Sequence, residues 1–247
     1  MLRFSLPDAK LWRYVLDAVS ALVDEVSVRA GPDGLKIKAL DPSHVALINL
    51  ELRPEAFTDY ECDEETSIGL SLPEMLKLMK NVKSGESMTA LLEDGKRLRI
   101  EFVGEYKRTI RLPSLDLAVE EIPTLKVDFT VRARLVSRSL RSTVKEAETI
   151  AETIRFRATK DKLMVSAKGE VSALDIEYTV GSEALLELDA REEAEASYNV
   201  EFLSEMVDSG YKIADIVDLE YASNMPLKLT FNLINGKVEY YLAPYVE

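Results

Sequence analysis

The stretch of sequence that decides the fold occurs twice. Residues 26–39 read VSVRAGPDGLKIKA, and residues 154–167 read IRFRATKDKLMVSA, a shift of 128 positions. In each copy, two runs of alternating apolar and polar residues flank a short turn, which predicts a β-hairpin. On both sides of the turn, the apolar and polar residues alternate in the same order in the two copies. The repeat therefore predicts two similar domains within one chain.

Residues outside the hairpin follow the same shift, which pairs Ile48 with Ile176, Lys10 with Arg138 and Arg13 with Arg141. Each half divides again, because LPEM at 72–75 resembles LSEM at 203–206 and each motif opens a helix. We expect helices near residues 8–21, 72–82, 132–146 and 202–213. The remainder reads as antiparallel strand, since the hairpin loops are too short for parallel crossovers. The predicted class is α+β, in which each domain is a pair of β-α-β-β-β units with helices on one face of antiparallel sheets.

Residues 115–127 separate the halves, so we expect domains at 1–114 and 128–247. The segment has no helical stripe, and its proline discourages pairing as a central strand. It is nevertheless more apolar than a linker that faces only solvent. Either it packs on its own domain or it offers apolar side chains to a partner.

The composition excludes several classes of protein. With one cysteine, Cys62, and one histidine, His44, the chain has no intrachain disulfide and no Cys/His zinc site. We find no phosphate-binding glycine loop, no metal-ligand spacing and no order of residues that would complete a catalytic triad. We therefore expect no enzymatic activity, no cofactor and no metal. The absence of a signal-like start or long apolar run favours a cytoplasmic protein without a membrane partner.

The charge distribution qualifies the net charge of −13, which taken alone argues against a nucleic-acid partner. Windows 8–21, 72–84, 132–145 and 202–213 together carry +6, which leaves −19 for the rest of the chain. In the third window Arg134, Arg138, Arg141 and Lys145 have the spacing of one helical face. A solvated outer face is the ordinary explanation for one such helix. The recurrence in both halves favours a basic helical face suited to sequence-independent contact with duplex DNA.

Four segments give the whole chain a resemblance to a known family: LDPSHVAL at 40–47, LKLMK at 76–80, MPL at 225–227 and YYLAP at 240–244. The sequence resembles the sliding clamps of the proliferating cell nuclear antigen family, of the archaeal type. The absence of glutamine and the abundance of Glu, Lys and Arg are typical of thermophiles. The resemblance implies the DNA clamp fold and a ring of three subunits, with helices lining a hole that encircles double-stranded DNA. In that reading the protein is a processivity factor for DNA replication and repair and is associated with the nucleoid of an archaeal cell.

The same resemblance implies partners and their sites. DNA polymerase, flap endonuclease, DNA ligase and the clamp loader would dock through short motifs of glutamine and aromatic anchors. The implied docking residues are Leu40, His44, Val45, Leu47, Leu117, Val119, Ile122, Pro123, Leu125, Pro226, Tyr241, Leu242, Ala243 and Pro244. Val45 and Leu47 could instead be ordinary core residues.

Two further sets complete the expected sites. The family's DNA-facing positions correspond to Lys10, Arg13, Lys77, Lys80, Arg138, Arg141, Lys145 and Lys212, while Arg134 and Lys83 follow from the helical stripe alone. Ring closure would pair one edge strand with that of the next subunit, using Lys107, Arg108, Thr109, Ile110 and Arg111 against Ala173, Asp175, Glu177 and Tyr178. The opposite charges of the two edges favour head-to-tail pairing, although charge can also simply blunt an edge.

Two alternatives stay open at this point. The first is a non-catalytic interaction scaffold that does not encircle DNA, which would not assemble into a ring-sized trimer. The second concerns the ring itself, since either a homotrimer or a heterotrimer with paralogous subunits fits the sequence.

Overall fold

The computed structural model describes residues 1–118, 122 and 124–246. The chain forms two compact units. Unit 1 comprises Met1–Leu40, Ile48–Ile122 and Leu233–Val238; unit 2 comprises Asp41–Leu47, Pro123–Asn232 and Glu239–Glu247. The change from one unit to the other at Ile122 falls inside the segment expected to connect the halves.

The first half of the chain contains nine strands and two helices among its described residues. The strands are β1 (Leu2–Leu6), β2 (Glu25–Gly31), β3 (Gly34–Leu40), β4 (Ala46–Leu52), β5 (Asp59–Cys62), β6 (Thr66–Ser71), β7 (Ser87–Glu93), β8 (Arg97–Val103) and β9 (Lys107–Pro113). The helices are α1 (Ala9–Ser20) and α2 (Leu72–Leu78). The strand orders are β5-β1-β7-β8-β9 and β4-β3-β2-β6.

The second half, over its described residues, repeats this plan. Its strands are β10 (Val131–Val136), β11 (Thr153–Ala158), β12 (Lys162–Lys168), β13 (Ala173–Thr179), β14 (Leu185–Ala190), β15 (Ala194–Asn199), β16 (Ile216–Tyr221), β17 (Leu227–Leu233) and β18 (Gly236–Leu242). The helices are α3 (Ser137–Glu148) and α4 (Val200–Gly210). The strand orders, β14-β10-β16-β17-β18 and β13-β12-β11-β15, match those of the first half. Two similar α+β halves with antiparallel sheets are thereby confirmed, each with one strand (β5 or β14) more than a pair of β-α-β-β-β units.

Main-chain hydrogen bonds fix the helix starts at equivalent places in the two halves. Leu72 N–H donates to Asp24 O, and Val200 N–H donates to Glu152 O, so both donor and acceptor are shifted by 128. The match between LPEM and LSEM was therefore out of register by three residues, almost one helical turn. The sequence similarity misled because both segments share the same apolar spacing.

The expected helix at 132–146 was also wrong at its start. Residues from Val131 to Val136 form β10, with alternating buried and exposed positions, and α3 begins only at Ser137. The spacing of its arginines fitted a helix by coincidence, because the strand's exposed residues Arg132 and Arg134 precede the helix directly. Helix α3 then continues past the expected end to Glu148.

Alternating burial places the core of each half between its sheets and helices. In unit 1, the ring of Phe4 on β1 lies 5.3 Å from Trp12 on α1, and both side chains are buried. In unit 2, Phe156 on β11 packs edge-on against Tyr198 of β15 at 6.0 Å. Aromatic pairs of this geometry bury a large apolar area and fix the orientation of the rings.

The first residues of the connecting segment pack on unit 1. Leu115 forms a bridge with Gly69 of β6, and its N–H donates to Gly69 O at 2.9 Å. A Cβ on Gly69 would lie 2.1 Å from Leu115 O, so only glycine permits this approach. Further on, Lys38 Nζ donates to Ile122 O at 2.6 Å. Main-chain contacts of Leu115 and Ile122 therefore hold this part of the segment to unit 1.

No helix among the described residues has the length and apolar character needed to cross a membrane.

Candidate functional sites

In unit 1 the cations of α1 are held by neutral groups. Lys10 Nζ donates to Ser84 Oγ at 2.6 Å, and Arg13 Nη1 lies 3.5 Å from the carbonyl oxygen of Lys80. A hydroxyl or carbonyl acceptor orients a cation without cancelling its charge. These contacts therefore leave the positive charge of α1 available to an external anion.

Three lysines extend this basic surface along α2 and the loop after it. Lys77 and Lys80 are exposed, and neither has a carboxylate partner among the described residues. Lys83 lies 3.4 Å from Glu105, in a pair whose side chains are 62% and 78% exposed. Solvent screens so open a pair strongly. Unit 1 thus brings together Lys10, Arg13, Lys77, Lys80 and Lys83.

In unit 2 two of the three cations of α3 are bound by carboxylates. Asp208 of α4 accepts from Arg141 Nε at 2.5 Å and from Lys145 Nζ at 2.7 Å. Lys145 also lies 3.2 Å from Glu148, and the guanidinium of Arg141 stacks over the Tyr211 ring at 4.6 Å. These four charged groups are about one-third exposed. The cluster carries no net charge.

The pKa values in this cluster reflect the pairing. Burial alone would raise the pKa of Asp208, but hydrogen bonds from Lys145 and Arg141 outweigh it and lower that pKa. Burial would likewise lower the pKa of Lys145, yet Asp208 and Glu148 hold it above its ordinary value. Asp208 and Lys145 are therefore both ionised at neutral pH. Of the remaining unit 2 cations, Arg138 and Lys212 are exposed.

Arg134 does not belong to the helical surface. It lies in β10, where its Nε donates to Asp218 at 2.9 Å and its Nη1 lies 3.3 Å from Glu187. Its neighbour on the same face, Arg132, pairs with Glu220 at 3.0 Å. These pairs cross from β10 to the strands on either side of it. The stripe that assigned Arg134 to DNA contact is therefore wrong, and the side chain belongs to a charged network on the sheet.

The helix boundaries also change the charge count. The four helices as observed contain six basic and seven acidic residues. Helix α3 accounts for part of the difference, since Glu146 and Glu148 lie beyond the expected window. A basic helical set of +6 is therefore wrong as a general statement. Among the described helix residues, Lys10, Arg13 and Lys77 of unit 1 and Arg138 of unit 2 have no carboxylate partner.

The loop 41–47 is built around one buried carboxylate. Asp41 Oδ1 accepts from the N–H groups of Val45 and Ala46, each at 2.6 Å. Its Oδ2 accepts from Ser43 N–H at 2.8 Å and from the Ser43 hydroxyl. This Asx-type arrangement leaves His44 exposed in a left-handed conformation, with φ of 61°. The carboxylate thereby fixes the shape of the loop.

Burial would raise the pKa of Asp41, but the bonds from Ser43, Ala46 and Val45 outweigh that effect. They hold the pKa below its usual value of 3.8. The loop is therefore held by an ionised group throughout the neutral range.

The C-terminal segment of unit 2 is bound beside this loop. Ala243 N–H donates to Val45 O at 2.8 Å, and Tyr245 N–H donates to Ser197 O of β15 at 2.7 Å. Tyr198 of the same strand donates from its hydroxyl to Met225 O at 2.9 Å. Four parts of the chain thus converge in unit 2: the loop, the C-terminal segment, β15 and the turn before β17.

The expected docking residues differ in exposure. Two are buried in the core, Leu47 at 6% and Leu242 at 1% exposure, so they can support a docking surface but cannot contact a partner. The partly or fully exposed ones are Leu40, His44, Val45, Leu117, Ile122, Leu125, Pro226, Tyr241, Ala243 and Pro244. Val119 and Pro123 lie outside the described residues. Met225 and Tyr245 were not among the expected docking residues, and they are also exposed, at 40% and 49%.

The two expected subunit edges are open in this chain. Strand β9 ends the sheet β5-β1-β7-β8-β9, and β13 ends the sheet β13-β12-β11-β15. Both have the same alternation of exposed and partly buried positions, with a buried residue next to last. On each strand the odd-numbered side chains, Lys107, Thr109, Arg111, Ala173, Asp175, Glu177 and Thr179, are exposed.

Two of the expected interface side chains point inward instead. Arg108 Nη2 pairs with the buried Glu86 at 2.6 Å, and its guanidinium stacks on Phe102 at 5.0 Å. The hydroxyl of Tyr178 bonds to Thr143 of α3, and the ring is buried. Both side chains stabilise their own sheets rather than a neighbour. The outward charges left for pairing are therefore carried chiefly by Arg111 and Asp175, which have no ion partner among the described residues.

This duplicated architecture, with two similar α+β halves and open edge strands, is that of the DNA clamp fold. The family models for the N-terminal and C-terminal domains of proliferating cell nuclear antigen match residues 1–127 and 121–245. The chain belongs to the proliferating cell nuclear antigen family, and it is a DNA sliding clamp, a non-catalytic processivity factor.

Relatives and solved structures agree with this assignment. The DNA polymerase sliding clamp of Thermofilum pendens is 35% identical over 248 residues, covering 100% of both chains. A crystal structure of PCNA from Thermococcus kodakaraensis superposes with a TM-score of 0.94 at 25% identity, covering 99% of this chain and 100% of that one. A PCNA2–PCNA3 complex from Sulfolobus tokodaii gives a TM-score of 0.92 at 28% identity, with the same coverage. These relatives are archaeal.

Proposed function

We propose that this clamp closes into a three-membered ring of identical chains by pairing β9 of one subunit with β13 of the next. The ring would encircle duplex DNA at the nucleoid and hold polymerase, flap endonuclease, ligase and clamp loader on the docking residues of unit 2 and of the segment 115–127. The observation that carries the proposal is the pair of open strands with matching faces. A chain with one open edge of each kind makes head-to-tail contacts, which close when the rotation per subunit is right.

The chain itself provides a template for this contact. Strands β18 and β4 hold the places in the repeat that correspond to β9 and β13. Arg53 N–H donates to Asn235 O at 2.9 Å, and Ala243 N–H donates to Val45 O at 2.8 Å. These two bonds bracket β4 and β18 in one antiparallel register. The equivalent strands β9 and β13 have no such partner within the described chain.

Copying that register onto the open strands predicts which side chains meet. Leu112 takes the place of Leu242, since each is the last buried residue of its strand. Arg111 then lies directly opposite Asp175. The same register opposes Thr109 with Glu177, Ile110 with Ile176 and Leu112 with Leu174. Outward residues thus meet outward residues and apolar ones meet apolar ones, as a stable strand pair requires.

The docking proposal is supported by the four parts of unit 2 that lie close together: the loop 41–47, the C-terminal segment, β15 and the turn before β17. The loop around His44 and Val45 and the C-terminal Tyr245 present exposed side chains on a rigid, hydrogen-bonded frame. A partner motif could add main-chain bonds there and seat its apolar anchors beside them. A prearranged frame lowers the ordering cost of binding.

Charge swapping tests the ring. Arg111→Glu should convert the assembly into a folded monomer, because it places a carboxylate opposite Asp175. Asp175→Arg should do the same, whereas the double variant should recover the ring because the pair is restored with reversed sign. Light scattering of the purified chain gives the mass. Arg97→Glu makes the same charge change on β8, away from the edge, and should leave the ring intact.

The possible outcomes separate the alternatives. A double variant that stays monomeric while both single variants are folded would contradict the register. A wild-type chain that is monomeric by itself would point to paralogous partner subunits, as in the two-subunit complex from Sulfolobus tokodaii. A monomer that still retains polymerase on DNA would favour a scaffold that does not encircle DNA.

A further inference from the structure

The repeat places oppositely charged residues at equivalent positions on the two helix pairs. The starts of α2 and α4 are related by the shift of 128, and the same shift relates Arg13 to Arg141. Position 80 therefore corresponds to position 208. Arg13 approaches Lys80 through its carbonyl oxygen, whereas Arg141 is bound by the carboxylate of Asp208.

The inversion is not confined to one residue. Along one face of α2 and its following loop, unit 1 has Lys77, Lys80 and Lys83, where α4 and its C-terminal cap have Glu205, Asp208 and Tyr211. The backbone frame is the same, but the basic surface of one half has become acidic or neutral in the other. The central member of this series, Asp208, contacts two cations at once.

We propose that Asp208 is an internal competitor for DNA phosphate, which occupies Arg141 and Lys145 and withholds these two cations of unit 2 from phosphate. The inference rests on the proposal that the helices face DNA. Arg141 and Lys145 are two of the basic residues that the sequence assigned to DNA contact, and both have a carboxylate partner within 2.7 Å. Glu148 brings the cluster to electrical neutrality. A neutral cluster exerts little long-range attraction on a polyanion.

The geometry gives the competition a definite form. A phosphate that approached Arg141 would meet the Asp208 carboxylate at the same guanidinium edge and would be repelled by it. The face of Arg141 is occupied as well, since it stacks on Tyr211 at 4.6 Å. Ser204 Oγ donates to Glu148 Oε2 at 2.9 Å, which holds the second carboxylate against Lys145. Both cations are thus kept from DNA by contacts from α4.

Salt dependence of DNA binding provides the test. Asp208→Asn keeps the size of the side chain and removes its charge. Arg141 then loses its carboxylate partner and can contact phosphate, while Lys145 keeps only its longer contact with Glu148. Each added contact steepens the slope of log K against log salt by about 0.9. We compare the affinity of the assembled clamp for a linear duplex at 50 mM salt with its affinity at 200 mM salt. The ratio of these two affinities should increase roughly threefold for each added contact. Asp208→Lys, which copies unit 1, should steepen the slope further.

Glu205→Gln is the matched control. It removes one negative charge from the same helix, at the position equivalent to Lys77, but releases no cation. It should therefore change the slope less than Asp208→Asn does. Equal slopes for the two variants would overturn the proposal, because the effect would then be a general change of charge. In a background of Arg141→Ala and Lys145→Ala, the gain from Asp208→Asn should fall to the level of the control.

A second experiment tests separately whether the helices face DNA at all. Replacing both Lys77 and Lys80 by Ala should weaken binding and flatten the slope. If that variant bound DNA like the wild type, the helical face itself would be wrongly assigned. If it lost affinity while Asp208→Asn matched its control, only the competition would be wrong.

Discussion

Asp41 shows how much a single carboxylate determines at the docking loop. It is 3% exposed, and it accepts hydrogen bonds from two backbone N–H groups and from Ser43. The sequence contained a signal for it, since Asp followed two residues later by Ser is typical of an Asx turn. The resemblance named the residues around it but not the carboxylate itself. Which side chain would be buried depended on contacts with β4 that the loop sequence does not encode.

Replacement of Asp41 by Ala should leave the N–H groups of Val45 and Ala46 without an acceptor. We expect the free energy of unfolding to fall by about 2 kcal/mol, and the affinity for a peptide with glutamine and aromatic anchors to fall with it. Urea denaturation and calorimetric peptide titration measure the two effects. Ser43→Ala removes only the hydroxyl contact and should have a smaller effect on both. Unchanged peptide affinity in a folded Asp41→Ala variant would refute a positioning role.

The pH dependence of the loop follows from the direction of the Asp41 pKa shift. Since the pKa in the folded protein is lowered, the ionised carboxylate contributes stability above pH 3.8, and that contribution is lost as the pH falls through the lowered value. Acid titration of thermal stability should therefore show a component that is absent from Asp41→Asn. A component of opposite sign would contradict the assigned contacts.

At the scale of elements, the strands were easier to predict than the helix boundaries. Alternation in the repeated hairpin gave β2, β3, β11 and β12 correctly, because period-two burial needs no tertiary information. The third helix was misplaced because exposed arginines on β10 continue the apparent stripe of α3. The decisive information is the pairing of β10 with β14 and β16, which brings carboxylates across the strands to Arg132 and Arg134.

Loss of lysines near α2 should weaken DNA binding more than loss of lysines on the turns of the sheets. Lys77→Ala combined with Lys80→Ala should flatten the salt dependence of duplex binding by up to about 1.8 in slope for each subunit. Fluorescence anisotropy with a labelled duplex measures it. Lys96→Ala with Lys160→Ala removes the same charge from exposed turns of the sheets and is the control. Equal loss in both variants would indicate a general charge effect.

Arg134→Ala tests the sheet network instead. The side chain is 44% exposed, so its pairs with Asp218 and Glu187 should be worth at most about 1 kcal/mol. Thermal melting should show a small decrease in stability, while the affinity for duplex DNA stays that of the wild type. A reduced salt slope in this variant would return Arg134 to the DNA-contacting set.

For the whole molecule, the net charge of −13 does not divide between helices and exterior in the simple way that the sequence suggested. The helices together are nearly neutral, and two of the three cations of α3 are paired with carboxylates. The family could be predicted from the sequence, because its most specific segments are short and contiguous, in the loop at 40–47, the end of α2, the turn before β17 and the end of β18. The charge pattern could not be predicted from the sequence, since it depends on ion pairs between α3 and α4.

Ring closure should matter more to retention on DNA than affinity does. A clamp opened by Arg111→Glu has the same helices as the wild type, but nothing encloses the duplex. After treatment with a clamp loader, we expect the wild type to stay on closed circular DNA and to leave when the circle is cut. The variant should dissociate from both forms equally fast, as measured by gel filtration of the complexes. If the variant stayed longer on circles than on cut DNA, Arg111→Glu would not have opened the ring. If the wild type left both forms equally fast, topological holding would be contradicted.

The equivalent helix starts have an implication for how the two halves diverged. The bonds that position α2 and α4, from Leu72 to Asp24 and from Val200 to Glu152, join main-chain atoms only. Side chains on the outward face of these helices could therefore change sign without disturbing the backbone. A duplicated scaffold whose helices are positioned by peptide groups therefore tolerates opposite surface charges at equivalent places, as Lys80 and Asp208 show.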